Sequence, residues 1–395
     1  MTVLEAGAPV DAALAHLSTP VETIPTRDAM LARVREIATG PLARDAERID
    51  REGHYPVDIL RLLGQAGALG AHLDETGADF VAAIRAMTEV GRVCGATAFL
   101  MWCHQVCGLY MEQSGNPALR DGRLPAHARG DTMGGTGMSN PMKTFARIES
   151  MLLQARPVDG GYRVSGTLPW VSHLAPDHCL GAVAAVVDDA GLPGGDTREV
   201  MFIADCSAPG VVLRHCPTFS AMEGTSTWSV RFNDVFIGAD HLVADPARPF
   251  VARIRAAFIL LQTGMGLGVA QGSIDSMWQV EEQLGHVNQF LDDRPSALQA
   301  ELDDLTARIE RLAATPYATA DLVDVLDVRA HASELALRAA QSALLHHGAR
   351  GYLLSAAPQR RVRESHFVAI VTPAIKHLRK EMARLMAPVT PSALP

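Results

Sequence analysis

Trp170 and Ser172 stand two residues apart in a turn-bounded run, Gly160-Gly161-Tyr162-Arg163-Val164-Ser165-Gly166-Thr167-Leu168-Pro169-Trp170-Val171-Ser172-His173. On a β-strand that spacing puts both side chains on one face. An indole and a hydroxyl presented together can stack on one ring of a flat redox cofactor such as a flavin and donate a hydrogen bond to its edge. The competing explanation is a tryptophan buried for packing beside an exposed serine.

The neighbouring sequence favours the cofactor. Gly137-Met138-Ser139-Asn140-Pro141 lies upstream, and Gly224-Thr225-Ser226-Thr227-Trp228-Ser229-Val230-Arg231-Phe232-Asn233-Asp234-Val235-Phe236-Ile237 follows downstream. The order resembles the middle domain of the acyl-CoA dehydrogenase superfamily, whose members show Thr-Glu-Pro, then Gly-x-Lys-x-Trp-Ile-Thr, then a Phe-x-Asp-Val strand. Ser139, Asn140 and Pro141 occupy the first motif, and Trp170 and Ser172 match the flavin-facing pair of the second. The resemblance implies that Met138, Ser139, Asn140, Trp170 and Ser172 contact a flavin, usually FAD. It runs from residue 28 to 387.

The elements that must position these residues change texture along the chain. Residues 28–67 and 77–115 carry helical periodicity, residues 131–243 read as short β-rich runs between Gly, Pro and Asp turns, and helical texture returns at 250–275, 297–314, 321–347 and 366–386. Pro295, Pro316, Pro358 and Pro373 mark breaks or first turns in that last part. The expected fold class is α+β: an N-terminal helical domain (1–130), a middle antiparallel β-domain (131–243) and a C-terminal four-helix bundle (244–395). In the family this is the dehydrogenase architecture, with the flavin between β-domain and bundle and completed by a neighbouring subunit. A homo-oligomer, tetramer or dimer, is therefore implied.

Composition bounds the partners. The 395 residues carry a net charge of −9, which argues against nucleic acid, since phosphate binding needs a clustered basic surface. Arg360, Arg361 and Arg363 form the tight basic cluster of note and read as a solvated helix face. Met1 to Pro20 includes Glu5 and Asp11 and lacks the pattern of a signal peptide, and no segment reads as an uncharged membrane span. Six scattered cysteines fit reduced thiols, so cytoplasmic residence is expected.

The mechanism turns on departures from the family pattern. Family dehydrogenases use a C-terminal glutamate to remove the α-proton of an acyl thioester; a base within reach, its pKa raised by burial, is what that weakly acidic proton requires. Thr372, in Val371-Thr372-Pro373, stands at that position and cannot serve. The alternative glutamate site, the stretch 255–266, contains no carboxylate, and the positions that meet the CoA arm in acyl-CoA users are apolar. An adenine-side Arg-x-x-Phe-Gly motif reads Glu281-Glu282-Gln283-Leu284-Gly285, and Gln-x-x-Gly-Gly survives as His346-His347-Gly348-Ala349-Arg350-Gly351-Tyr352.

Three functions remain open. The first is FAD-dependent dehydrogenation of an acyl thioester or related activated substrate with a relocated base, Glu223 or Glu364, passing electrons to an external acceptor. The second is a two-component monooxygenase of a small apolar or aromatic compound, using FMN or reduced flavin from a separate reductase. Relatives of that kind hold a flavin hydroperoxide with a serine and flanking histidines, roles that Ser172, His104 and His366 would fill; such donors must act in a site shielded from water. The third is a non-catalytic relative without flavin. Cys103, His104 and Cys107 do not make a metal site on their spacing, and His173 should point away from Ser172.

Overall fold

The computed structural model describes residues 26–74, 77–188 and 198–387; the leader reading for Met1 to Pro20 lies outside them. Helices begin where a side chain can satisfy first-turn amides. Thr26 accepts from Ala29 at the start of α1 (Arg27–Ile37), which runs through a π-turn (Ala38–Leu42) into α2 (Ala43–Arg51). After a bend at Gly53 come α3 (Val57–Gln65), α4 (Phe80–Val93), capped by Asp79, α5 (Gly95–Gln113) and α6 (Leu124–Ala128). Every residue of α5 from Gly95 to Met111 is buried, which makes it the spine of this layer.

The described residues of the middle of the chain form one sheet. Its strands are β1 (Gly134–Thr136), β2 (Leu153–Val158), β3 (Gly161–Val171), β4 (Cys179–Val186), β5 (Glu199–Asp205), β6 (Val211–His215), β7 (Trp228–Gly238) and β8 (Leu242–Ala244), with α7 (Ser139–Phe145) following β1. The order is β6-β7-β3-β2-β4-β5-β8, and β1 pairs β4. The sheet is mixed rather than wholly antiparallel, because β4 runs parallel to both β1 and β2. A second apolar core, built on Val164, Leu168, Phe202 and Phe232 among others, fills its inner face.

Among the described residues the C-terminal part has five α-helices: α8 (Ala247–Asn288), α9 (Pro295–Ala313), α10 (Leu322–His347), α11 (Ala357–Ile370) and α12 (Ile375–Met386). The helical texture at 366–386 is split because Pro373 lacks an amide and disfavours helix in the residue before it. α8 crosses α4 where Gly268 meets Gly91; a Cβ on Gly268 would lie 2.7 Å from the Gly91 Cα. By length and composition α8 could cross a membrane, contrary to the reading of the sequence, but 83% of its apolar window is buried inside this fold. It is a core helix.

Candidate active site

The placement of Trp170 depends on a β-bulge. Along β3 the even positions Tyr162, Val164 and Leu168 face the core, and straight continuation would bury Trp170 and Ser172 with them. Opposite β7, however, Leu168 pairs with Val230 and Val171 with Trp228, so β3 contains one extra residue. An extra residue reverses the phase of everything after it. Val171 and His173 become the buried positions, at 2% and 0% exposure, and Trp170 is turned out to 62% exposure. Its one ring contact is edge-on to Phe219.

Past the bulge the chain is clamped to the segment before β7. His173 and Leu174 donate their amides to the carbonyls of Thr225 and Ser226, and the Trp228 indole N–H is shared between Leu174 O and Ser226 Oγ, 3.1 Å each. His173, Met222 and Ser226 all take left-handed backbone conformations, with φ of 67°, 67° and 44°. Non-glycine residues hold that conformation only where surrounding contacts impose it. Within the clamp Ser172 Oγ lies 2.6 Å from Thr227 Oγ1, which is 2.8 Å from Thr225 Oγ1.

Beside this corner opens a cavity of about 230 Å³, lined by Tyr55, His215, Cys216, Phe219, Glu223 and Thr227 among others. Among the described residues Glu223 is the carboxylate in its wall, and no lysine or arginine lines it. One Glu223 oxygen accepts the Phe219 amide, and Glu223 has no ion-pair partner among the described residues. Glu364, the other candidate base, is placed differently. It is 3% exposed, accepts the Gly95 amide at the start of α5 and pairs with Arg360 at 3.4 Å; burial raises its pKa. It holds α11 to α5. The neighbouring arginines are not a solvated face either: Arg360 and Arg361 are buried, and Arg363 forks onto Asp50.

A second polar contact joins the β-domain to the bundle. Ser139, exposed at the start of α7, lies 2.9 Å from Thr372 Oγ1. Gln262 of α8 donates to the Thr372 carbonyl at 3.1 Å and accepts from Arg329 Nε at 2.7 Å. Arg329 is fully buried, and with no carboxylate beside it desolvation lowers its pKa to about 9. Met138 and Asn140 are buried, and Asn140 is committed to the following loop, donating to Glu149 and Ser150 and accepting from Leu152. One turn earlier on the same face of α8 as Gln262, Trp102 and Phe258 pack at 5.1 Å, with Phe99 and Phe367 against them, so aromatic rings fill the junction of α5, α8 and α11.

The histidines proposed for oxygen chemistry do not meet Ser172. His104 is sealed in the interior, stacked on His127 at 3.7 Å, each donating Nε2–H to the other's carbonyl. His72 donates likewise to Gln105 O, and His173 Nδ1 is 2.9 Å from the Tyr55 hydroxyl. Burial pushes His72 down to about 3 and His127 to about 4, and holds His104 and His173 well below the usual value. His366 sits on the exposed side of α11. Among the described residues no group of His, Cys, Asp or Glu is arranged to hold a metal. This inner layer was not legible from the sequence, where His72, His127 and His178 are isolated residues.

These residues fit the ring of a flavin: a flat exposed indole, a hydroxyl chain beside it and the Ser139–Thr372 pair at the domain junction. The stretches matched to the nucleotide half fit less well. Glu281 is tied to Arg294, Glu282 is exposed, and His346 and His347 bond to the Asp293 and Ser276 carbonyls. Carboxylates are poor company for phosphates.

Comparison with known proteins agrees with this fold. The family model for the acyl-CoA dehydrogenase N-terminal domain matches residues 25–131. A probable acyl-CoA dehydrogenase of Bacillus subtilis is 22% identical over 355 residues, covering 85% of this chain and 91% of the relative. A glutaryl-coenzyme A dehydrogenase in complex with glutaryl-CoA superposes with a TM-score of 0.80 at 19% identity, over 91% of this chain and 95% of that one. A dibenzothiophene monooxygenase from Paenibacillus has a TM-score of 0.75 at 18% identity, over 90% and 97%.

Proposed function

We propose that this chain, which has an acyl-CoA dehydrogenase N-terminal domain and the acyl-CoA dehydrogenase fold, is a flavin-dependent oxidoreductase that dehydrogenates a small activated substrate with Glu223 as relocated base. The observation that carries the reading is the bulge in β3, which spends a register shift to present Trp170 and Ser172 outward together. Local irregularity of that kind re-aims side chains beside functional sites. A flavin bound there would accept a hydride, which is the redox chemistry the side chains lack.

The remaining work falls to the chain. Trp170 would support the ring of a bound flavin, and Ser172 and the Ser139–Thr372 pair would offer it polar contacts. Met138 and Asn140 shape the loop that carries Ser139. The cavity beside Thr227 would admit the substrate, and Glu223 in its wall would hold the proton taken from it. A wall without lysine or arginine supports a substrate lacking the phosphates of CoA. FAD is the proposed cofactor, with electrons passing to an external acceptor. The apolar side chains exposed at one end of the bundle, Phe290, Leu345, Tyr352, Leu353 and Leu354, support a homo-oligomer, and six free cysteines support cytoplasmic residence.

The second reading is the two-component monooxygenase, with FMN or reduced flavin from a reductase. It is favoured by Thr372 at the glutamate position and by the paired Glu281, and weakened by the burial of His104 and the exposure of His366. The deciding experiment is the absorption spectrum of the purified protein, with released flavin identified, followed by anaerobic addition of acyl-CoAs and small carbonyl compounds. Bound FAD bleached by a substrate in the wild type and not in Glu223→Gln supports dehydrogenation. Colourless protein that binds reduced FMN or FAD supports the monooxygenase, and protein that binds no flavin in either redox state removes both.

A further inference from the structure

We infer that Ser172 presents a hydrogen-bond acceptor to the flavin edge, and that the site therefore binds reduced flavin in preference to oxidised flavin; this rests on the flavin reading above. The argument is a count of protons. A hydroxyl has one proton to give and two lone pairs. Thr225, 2% exposed, lies 2.6 Å from the Met222 carbonyl oxygen, which can only accept, so its proton is spent there. The 2.8 Å contact between Thr227 Oγ1 and Thr225 Oγ1 needs one proton between the oxygens, and Thr227 has to supply it. The 2.6 Å contact between Ser172 Oγ and Thr227 Oγ1 then has to be supplied by Ser172.

The chain runs in one direction, Ser172 to Thr227 to Thr225 to Met222 O, and its open end is a lone pair. Its buried terminus is fixed by the left-handed Met222 and Ser226 on either side of the turn Glu223–Thr225. The redox-active nitrogen of an oxidised flavin is itself an acceptor, and on reduction it carries N–H. Two acceptors face each other in the first case; a donor meets an acceptor in the second. This reverses the donor role that the sequence pattern implies for Ser172.

The test is anaerobic titration of oxidised and dithionite-reduced FMN and FAD into the purified chain after removal of bound flavin. Wild type is expected to bind the reduced form at least tenfold more tightly, equivalent to about 30 mV on a two-electron potential. Thr227→Val releases the Ser172 proton, so the preference is expected to fall to threefold or less, mainly through tighter oxidised binding, while Thr227→Ser restores it. Thr225→Val, which frees Thr227 to donate to Ser172, gives a second break in the chain should Thr227→Val misfold. Equal or inverted preference in wild type, or an unchanged preference in both valine variants, overturns the inference. Trp170→Ala separates it from the reading beneath: if that variant binds both redox forms as wild type does, the flavin site itself is misplaced.

Discussion

The two faces of the corner at residues 170–173 carry opposite chemistry within four positions. Outward are an exposed indole and a serine at the open end of a hydroxyl chain; inward are Val171 and His173, the latter joined to a layer containing His72, His104, His127 and His178. The inner face is richer in residues of catalytic type, yet the His72, His104 and His127 ring N–H groups are turned to backbone carbonyls and burial lowers the pKa of these rings. The outer face has weaker chemistry and open access. Residue type is therefore a poor guide here, and the phase of one strand decides which group can reach a ligand.

The largest expected effect breaks the inner face with acid. His72 and His127 titrate at about 3 and 4 in the folded chain and near 6.5 when unfolded. Below pH 6.5 the unfolded chain takes up protons that the folded chain refuses, so stability is complete above that pH and is lost as pH falls toward 4 and 3. Each group contributes roughly 1.4 kcal/mol per pH unit across its window, or about 4 kcal/mol for the two by pH 5. Chemical denaturation at pH 7 and pH 5 measures it; equal stability at both would mean that the layer takes up protons while folded. His104→Ala tests the same face by substitution. It removes a stacked ring and the hydrogen bond from its Nε2–H to the His127 carbonyl, while the reverse bond to the backbone carbonyl of residue 104 survives, for an expected loss of about 3 kcal/mol with flavin affinity within twofold of wild type. A selective loss of flavin binding would instead place His104 in the site.

Trp170→Ala is the mirror experiment on the outer face. An indole already exposed contributes little to folding, so the melting temperature should barely move, while flavin affinity falls about 30-fold, or about 2 kcal/mol of stacking area. Unchanged flavin occupancy would overturn the proposed orientation.

The difference between the faces also marks how far the sequence could be read. The helix–sheet–helix order and the shared face of Trp170 and Ser172 were legible, because each is written in local periodicity or in a short motif. The bulge was not, since the extra residue between Leu168 and Val171 shows only against the register of β7. His104 was misleading for a related reason: an apolar helix with one histidine looks alike whether the ring faces a ligand or another ring, and His127 lies 23 residues away. Glu223 could be named as a carboxylate in a loop, but its place in the cavity wall required the fold. The split between α11 and α12 was marked by Pro373 in the sequence, and the direction of the hydroxyl chain needed the distances.

The smallest expected effect sharpens the outer face. Thr372→Glu places a carboxylate beside Ser139, and if a base at this position were all that is lacking it would bring thioester oxidation with it. The surroundings argue otherwise. Thr372 is bonded to Ser139 and, through its carbonyl, to Gln262, and the rings of Phe258 and Trp102 pack in the neighbouring junction. The substitution is expected to cost about 1 kcal/mol through loss of the Ser139 contact and to leave anaerobic bleaching by acyl-CoAs at the wild-type level. A large gain of bleaching would show that a base at this position is all that this chain lacks for thioester oxidation.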